Sequence, residues 1–195
     1  MARVLLGWEL GGNRGHAEPL KALATALIAD GHYVVIAAKE PARFAGFEAC
    51  VVMQAPIWPG LMGIAPAPGP APAANMGDIL IGLGMSMPGT FASLIRSWDA
   101  ILTGLRPDVV IADYAPALAC ATRGRIRTIA CGTGFCQPPA QMVTFPDLVK
   151  LSEKVVAVPL LDMINDELAA TGRSEVTAPP AIFATDDNVV ACFAE

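Results

Sequence analysis

Charge is what this sequence has least of. Lys, Arg, Asp and Glu make up 16% of its 195 residues, against 54% for apolar types. Ordinary soluble domains carry about 25% charge. The net charge is −5 and no Lys/Arg cluster occurs, so a nucleic-acid partner is not expected. The five cysteines, Cys50, Cys120, Cys131, Cys136 and Cys192, form no C-x-x-C pair. Their odd number and spacing disfavour a disulfide framework and a zinc ribbon. Free thiols fit a reducing cytoplasm, which is the expected location. The chain reads directly into an apolar run of strand length, so no signal peptide is expected. Residues 49–77 and 79–95 lack charge altogether, but six prolines interrupt the first stretch and glycines with Pro88 interrupt the second. No membrane span is therefore expected. No internal repeat is found. The length fits one domain, or one large half of a two-domain protein. The apolar excess calls for a parallel sheet buried on both faces, an apolar substrate site, or a surface that meets a partner.

What is present centres on residues 3–38. Val4 to Trp8 is an apolar run of strand length. Gly11, Gly12 and Gly15 then make a loop that can turn tightly and admit a ligand to the backbone. Leu20, Leu23, Ala24, Leu27 and Ile28 repeat at helical spacing, and Gly31 is placed to end that helix. Tyr33 to Ala38 is a second apolar run, continuous enough for a strand buried on both faces. A strand–helix–strand unit of this kind is right-handed, which puts the glycine loop at the carboxyl edge of a parallel sheet. Open α/β sheets bind their ligands at that edge.

Further along, Lys39 to Gly46 reads as a charged connection with room for a short helix, and Ala49 to Gln54 as a third strand. Residues 55–75, rich in Pro, Ala and Gly, read as a long loop that either covers a site or forms a disordered flap. Residues 76–105 carry a helical repeat through Leu80, Leu83, Met87, Phe91, Leu94, Trp98, Ile101 and Leu105, with Pro88 expected to kink it or start a new helix. Val109 to Ala112 reads as a buried strand with Asp113 at its carboxyl end. Ala115 to Gly124 is an alanine-rich helix, Ile126 to Cys131 a strand, 136–150 a loop-rich stretch, 159–170 an amphipathic helix, and Asn188 to Phe193 a last strand.

His16, at the entrance to the first helix, is the leading candidate for proton chemistry, because imidazole titrates nearest neutral pH. On spacing alone, a histidine packed at a helix start accounts for it better. Asp113 is its natural partner, since both fall at carboxyl ends of predicted parallel strands. A carboxylate bonded to one ring nitrogen fixes the tautomer and stabilises the imidazolium. The alternative is an Asp that caps the following helix. Gly132-Thr133-Gly134 offers backbone N–H groups to a phosphate or sugar, or is a plain strand-to-loop turn. Trp58, Trp98 and Phe91 are candidates for an acceptor pocket, although core packing explains Trp98 and Phe91 equally well. The dinucleotide fingerprint ending at Gly15 fails at its first glycine, which is Leu10. A nucleotide-binding Rossmann domain is thus the weaker reading.

The run Gly11-Gly-Asn-Arg-Gly-His16, followed by Pro19, Leu23, Leu27 and Gly31-His32, resembles the start of GT-B glycosyltransferases of the UDP-glycosyltransferase kind. So do Asp108-Val-Val-Ile-Ala-Asp113, Gly132-Thr-Gly-Phe135 and Pro138-Pro139. The resemblance covers most of the chain but only the amino-terminal, acceptor-binding half of such an enzyme. It implies an α/β fold with a Rossmann-like parallel sheet and helices on both faces. It gives His16 the role of catalytic base with Asp113 beside it, and places Gly12, Asn13, Gly15, Thr133, Gly134, Trp58 and Phe91 around the substrates. It implies no metal or cofactor, with a nucleotide sugar as co-substrate of a complete enzyme and a small, apolar hydroxyl compound as acceptor. A donor-binding domain or chain is the expected partner. The third possibility is a non-catalytic subunit that completes a site on such a chain. An uncovered apolar surface and self-association are also expected.

Overall fold

A computed structural model describes residues 1–12, 14–64, 73–148 and 159–190. Six strands form one sheet: β1 Arg3–Trp8, β2 Tyr33–Ala38, β3 Val51–Gln54, β4 Val109–Asp113, β5 Arg127–Gly132 and β6 Asp187–Val190. Their order is β3-β2-β1-β4-β5-β6, and every pairing is parallel. This is the doubly wound order, in which the connections leave the two central strands in opposite directions. The chain is therefore the α/β, Rossmann-like fold that its apolar runs imply.

Period-two alternation along the strands builds two cores. Val4, Leu6, Trp8, Val34 and Ile36 face one side, where helix α1 (Arg14–Ala29) covers them with Ala17, Leu20 and Ala24. A 3₁₀ turn at Pro41–Phe44 adds Phe44 to that side. Leu5, Val35, Val110 and Ala112 face the other. There lie α2 (Met76–Leu80), α3 (Thr90–Leu105), α4 (Pro116–Thr122) and, packed on α3, α5 (Leu160–Ala169). Helices thus cover both faces. Every residue of α4 is buried, and Gly7 explains how it comes so close. A Cβ added at Gly7 would stand 2.2 Å from Leu118 Cδ2, so β1 meets α4 without a side chain between them.

The helical repeat over 76–105 is divided more sharply than Pro88 alone predicts. A π-helical turn, Ile81–Met85, follows α2, and the axes before and after the break differ by 80°. The turning points are Gly84 (φ 108°) and Gly89 (φ 81°), two left-handed conformations that Pro88 lies between. The other boundaries agree to within two residues, save that 65–72 of the expected long loop, 149–150 of the loop-rich stretch and 191–193 of the expected last strand lie outside the described residues. A 3₁₀ turn at Pro179–Phe183 went unforeseen. Among the described residues, no single helix is long and apolar enough to cross a membrane.

Candidate active site

The fold brings the end of β1 and the end of β4 together at the point where the strand order reverses. Trp8 and Asp113 are register partners there, and α1 begins only six residues past Trp8. His16 lies in the first turn of α1. Its Nδ1 stands 2.9 Å from Asp113 Oδ2 and 3.0 Å from Oδ1. An ionised carboxylate only accepts, so Nδ1 carries the proton between them, and in the neutral imidazole Nε2 then keeps its lone pair. The imidazole stacks on Trp8 at 5.2 Å between ring centroids and lies near-parallel to Tyr114 at 6.1 Å. Burial pushes the Asp113 carboxyl above the usual range, and the hydrogen bond from His16 opposes that rise. Their side chains are 14% and 5% exposed, so the pair is sheltered without being sealed from solvent.

Of the three loop glycines, the structure requires only Gly11. It has φ 74°, and an added Cβ would fall 2.2 Å from His16 Nε2, in the space the ring occupies. Gly12 and Gly15 are exposed and would meet nothing within 4 Å. Gly15 is the second residue of α1 rather than part of the loop. Asn13 lies outside the described residues. Thr133 and Gly134 form an exposed turn beyond β5, at the same sheet edge. The Thr133 hydroxyl is given to Cys136 Sγ at 3.4 Å. Gly132 leaves room for Asp113, since a Cβ there would come within 3.3 Å of Oδ1.

Trp58 and Phe91 are not pocket walls. They pack on each other at 5.7 Å and have no exposed surface, which makes both core residues. The aromatic side chain that is open at this edge is Phe135. It is 44% exposed and edge-on to Tyr114 at 5.9 Å. A separate cleft of about 360 Å³ opens between the 56–59 segment and the start of α3, lined by Ile57, Pro59, Thr90, Ser93 and Leu94. It borders neither His16 nor Asp113. Burial pushes the Cys120 thiol up to about 11 and the Cys131 thiol up to about 12, which disfavours the nucleophilic thiolate at both.

Glu9 is the residue that sequence reasoning passed over. It has no exposed surface. Its carboxylate accepts from the indoles of Trp98 and Trp58 and from the backbone of Leu118 and Ala117. Burial raises its pKa to about 7 against the pull of those bonds. The native state therefore holds this proton more tightly than the unfolded chain. The corresponding stability is complete below the ordinary glutamate value of 4.5 and is lost as the pH rises toward about 7. The whole loss is on the order of 3 kcal/mol. Glu9→Gln cannot titrate. Denaturant unfolding at about pH 5 and about pH 8 should show the wild type losing a few kcal/mol that the variant does not. Parallel profiles for the two proteins would contradict this.

No protein family's sequence profile matches the chain, and no curated protein matches it in sequence. Solved structures do match its fold. Glycosyltransferase SnogD of Streptomyces nogalater is similar over 97% of this chain at a TM-score of 0.56 and 15% identity. SsfS6, a glycosyltransferase of Streptomyces sp. SF2575, is similar over 98% at 0.55 and 18% identity. Glycosyltransferase VinC, in complex with dTDP, is similar over 96% at 0.54 and 15% identity. The chain spans 45%, 51% and 48% of those three proteins respectively. The fold is thus glycosyltransferase-like, of the GT-B kind. The polypeptide amounts to about half the length of its structural neighbours.

Proposed function

We propose that this chain is the acceptor-binding, amino-terminal half of an inverting glycosyltransferase. The observation that carries the reading is the His16–Asp113 pair, set at the strand-order reversal with Nδ1 turned to the carboxylate. In the proposed reaction an acceptor hydroxyl attacks the anomeric carbon of a nucleotide sugar. The carbon–oxygen bond to the nucleotide's phosphate breaks, and the hydroxyl proton passes to His16 Nε2. A single displacement of this kind inverts the anomeric configuration. Asp113 steadies the imidazolium that forms.

The nucleotide sugar is to be held by a separate domain or chain, facing Gly12, Thr133 and Gly134 across the sheet edge. One structural neighbour is a complex with dTDP, so a dTDP-sugar is the first donor to try. Phe135 offers an acceptor an apolar wall beside Tyr114. Val143, Val189 and Val190 are more than half exposed at or after the later strands, and residues of this kind support the expectation of self-association.

Titration with a panel of apolar phenols and alcohols tests the acceptor site. A compound that binds should shift the ring signals of His16 and Phe135 together in nuclear magnetic resonance spectra. Binders that leave both signals in place would remove the acceptor site from this edge.

A further inference from the structure

We propose that Glu9 is the positioning residue that holds His16 and Asp113 in register, an inference that rests on that pair being the proposed base. Glu9 directly follows β1 and turns away from the face that carries Trp8. Oε1 accepts from Trp98 Nε1 at 2.6 Å and from Leu118 N at 2.6 Å. Oε2 accepts from Trp58 Nε1 at 3.1 Å and from Ala117 N at 3.2 Å. All four partners are N–H donors, from the 55–58 segment, α3 and α4. No Lys or Arg is among them. Once ionised, above its raised pKa of about 7, the carboxylate is acceptor-only and meets all four donors in full.

Two of those bonds reach the site. Ala117 and Leu118 open α4, just after Asp113, Tyr114 and Ala115. Tyr114 has φ 48°, a conformation that an aromatic residue keeps only when its surroundings enforce it. The enforcement is visible. Leu10 N donates to Tyr114 O at 3.1 Å, and Glu9 takes the next two free amides of α4. Segment 9–10 and segment 113–118 are therefore fastened at three points. One of these segments leads into α1 and His16, and the other begins with Asp113. Trp8 adds to the first, since its indole N–H donates to Leu10 O and its ring stacks on His16. Releasing Glu9 frees the strained turn at Tyr114 to relax, and the Asp113 carboxylate turns with it.

The chain has two histidines, and the structure assigns them opposite tautomers. His16 donates from Nδ1, whereas His32 Nδ1 accepts from Ala2 N at 3.2 Å and so carries its proton on Nε2. The ring ¹⁵N shifts of the neutral imidazoles, read at about pH 8, distinguish the two forms. In Glu9→Gln an amide NH₂ faces N–H donors, and His16 is expected to lose its Nδ1–H tautomer while His32 stays unchanged. Leu168→Ala, a core truncation in α5 at a residue that is not a hydrogen-bond partner of Glu9, should lower stability and leave His16 as in the wild type. Should Glu9→Gln not fold, Glu9→Asp is read in its place. It keeps the carboxylate, withdraws it by one carbon, and is expected to shift the tautomer part of the way. An unchanged His16 in a folded Glu9 variant overturns the proposal, and so does equal loss in Leu168→Ala. Failure of both Glu9 variants to fold also overturns it, by making Glu9 a core residue only. A wild-type His16 on the Nε2–H tautomer defeats the His16–Asp113 reading itself, and is thereby told apart from failure of the Glu9 role.

Discussion

Replacing His16 by alanine is expected to lower the rate of sugar transfer by roughly 10²–10⁴-fold, measured with a donor-binding half supplied and both substrates saturating. The size follows from the base role proposed for the residue. Without a base, the attacking hydroxyl must release its proton to water as the new bond forms, and oxygen attacks poorly while still protonated. The effect should fall on kcat. His16 is 14% exposed and offers little surface for ground-state binding, so KM should hold nearly constant. Asp113→Asn should cause a loss of similar order by a different route. An amide can donate to Nδ1, which moves the ring proton to Nε2 and closes the lone pair that accepts the hydroxyl proton. Transfer at the wild-type rate in His16→Ala, with the variant folded, would end the base assignment. A loss confined to KM would make His16 a binding residue instead.

The fold was legible because its central strands are buried on both faces. β1, β2 and β4 sit inside the sheet, and their apolar runs are unbroken for that reason. The His16–Asp113 pair was legible from the same geometry. Asp113 ends β4 and His16 lies in the first turn of the helix that follows the adjacent β1, so both fall at the carboxyl edge of the sheet. The roles of the aromatics were not legible. A tryptophan in a proline-rich loop reads as a candidate pocket wall, yet Trp58 is buried in the core, where its indole N–H meets a buried carboxylate. Glu9 was missed for the converse reason. One charge after a strand normally marks the start of a solvated loop. Only the three-dimensional meeting of Trp58, Trp98 and α4 around it gives that charge its partners. Gly11 also needed the structure. Sequence offers three glycines and no means of telling which one faces the imidazole.

The 195-residue polypeptide by itself is expected to show no turnover with common nucleotide sugars. Transfer requires an anomeric carbon held at attack distance from a hydroxyl, and a preorganised charge to receive the departing diphosphate. His16 and Asp113 meet the proton's requirements alone. On the exposed sheet edge, Gly12, Thr133 and Gly134 can touch a donor from one side, with Arg14 opening α1 there and the Lys39 ammonium lying 5.7 Å over the Trp8 ring. The polypeptide is about half as long as its structural neighbours, and in the proposed reading the elements at that edge form one wall of the cleft. A nucleotide sugar on one wall keeps its diphosphate in water, where screening weakens each contact. Calorimetry should therefore find no binding tighter than roughly millimolar, a free energy of only about 4 kcal/mol. Apolar hydroxyl compounds are expected to bind more tightly, because Phe135 and Tyr114 lie wholly within this chain. Adding a donor-binding half should restore transfer, and His16→Ala should abolish that restoration. Micromolar binding of a nucleotide sugar to the polypeptide alone, competed by the free nucleotide, would show that the donor site is on this half and that the assignment of halves is reversed.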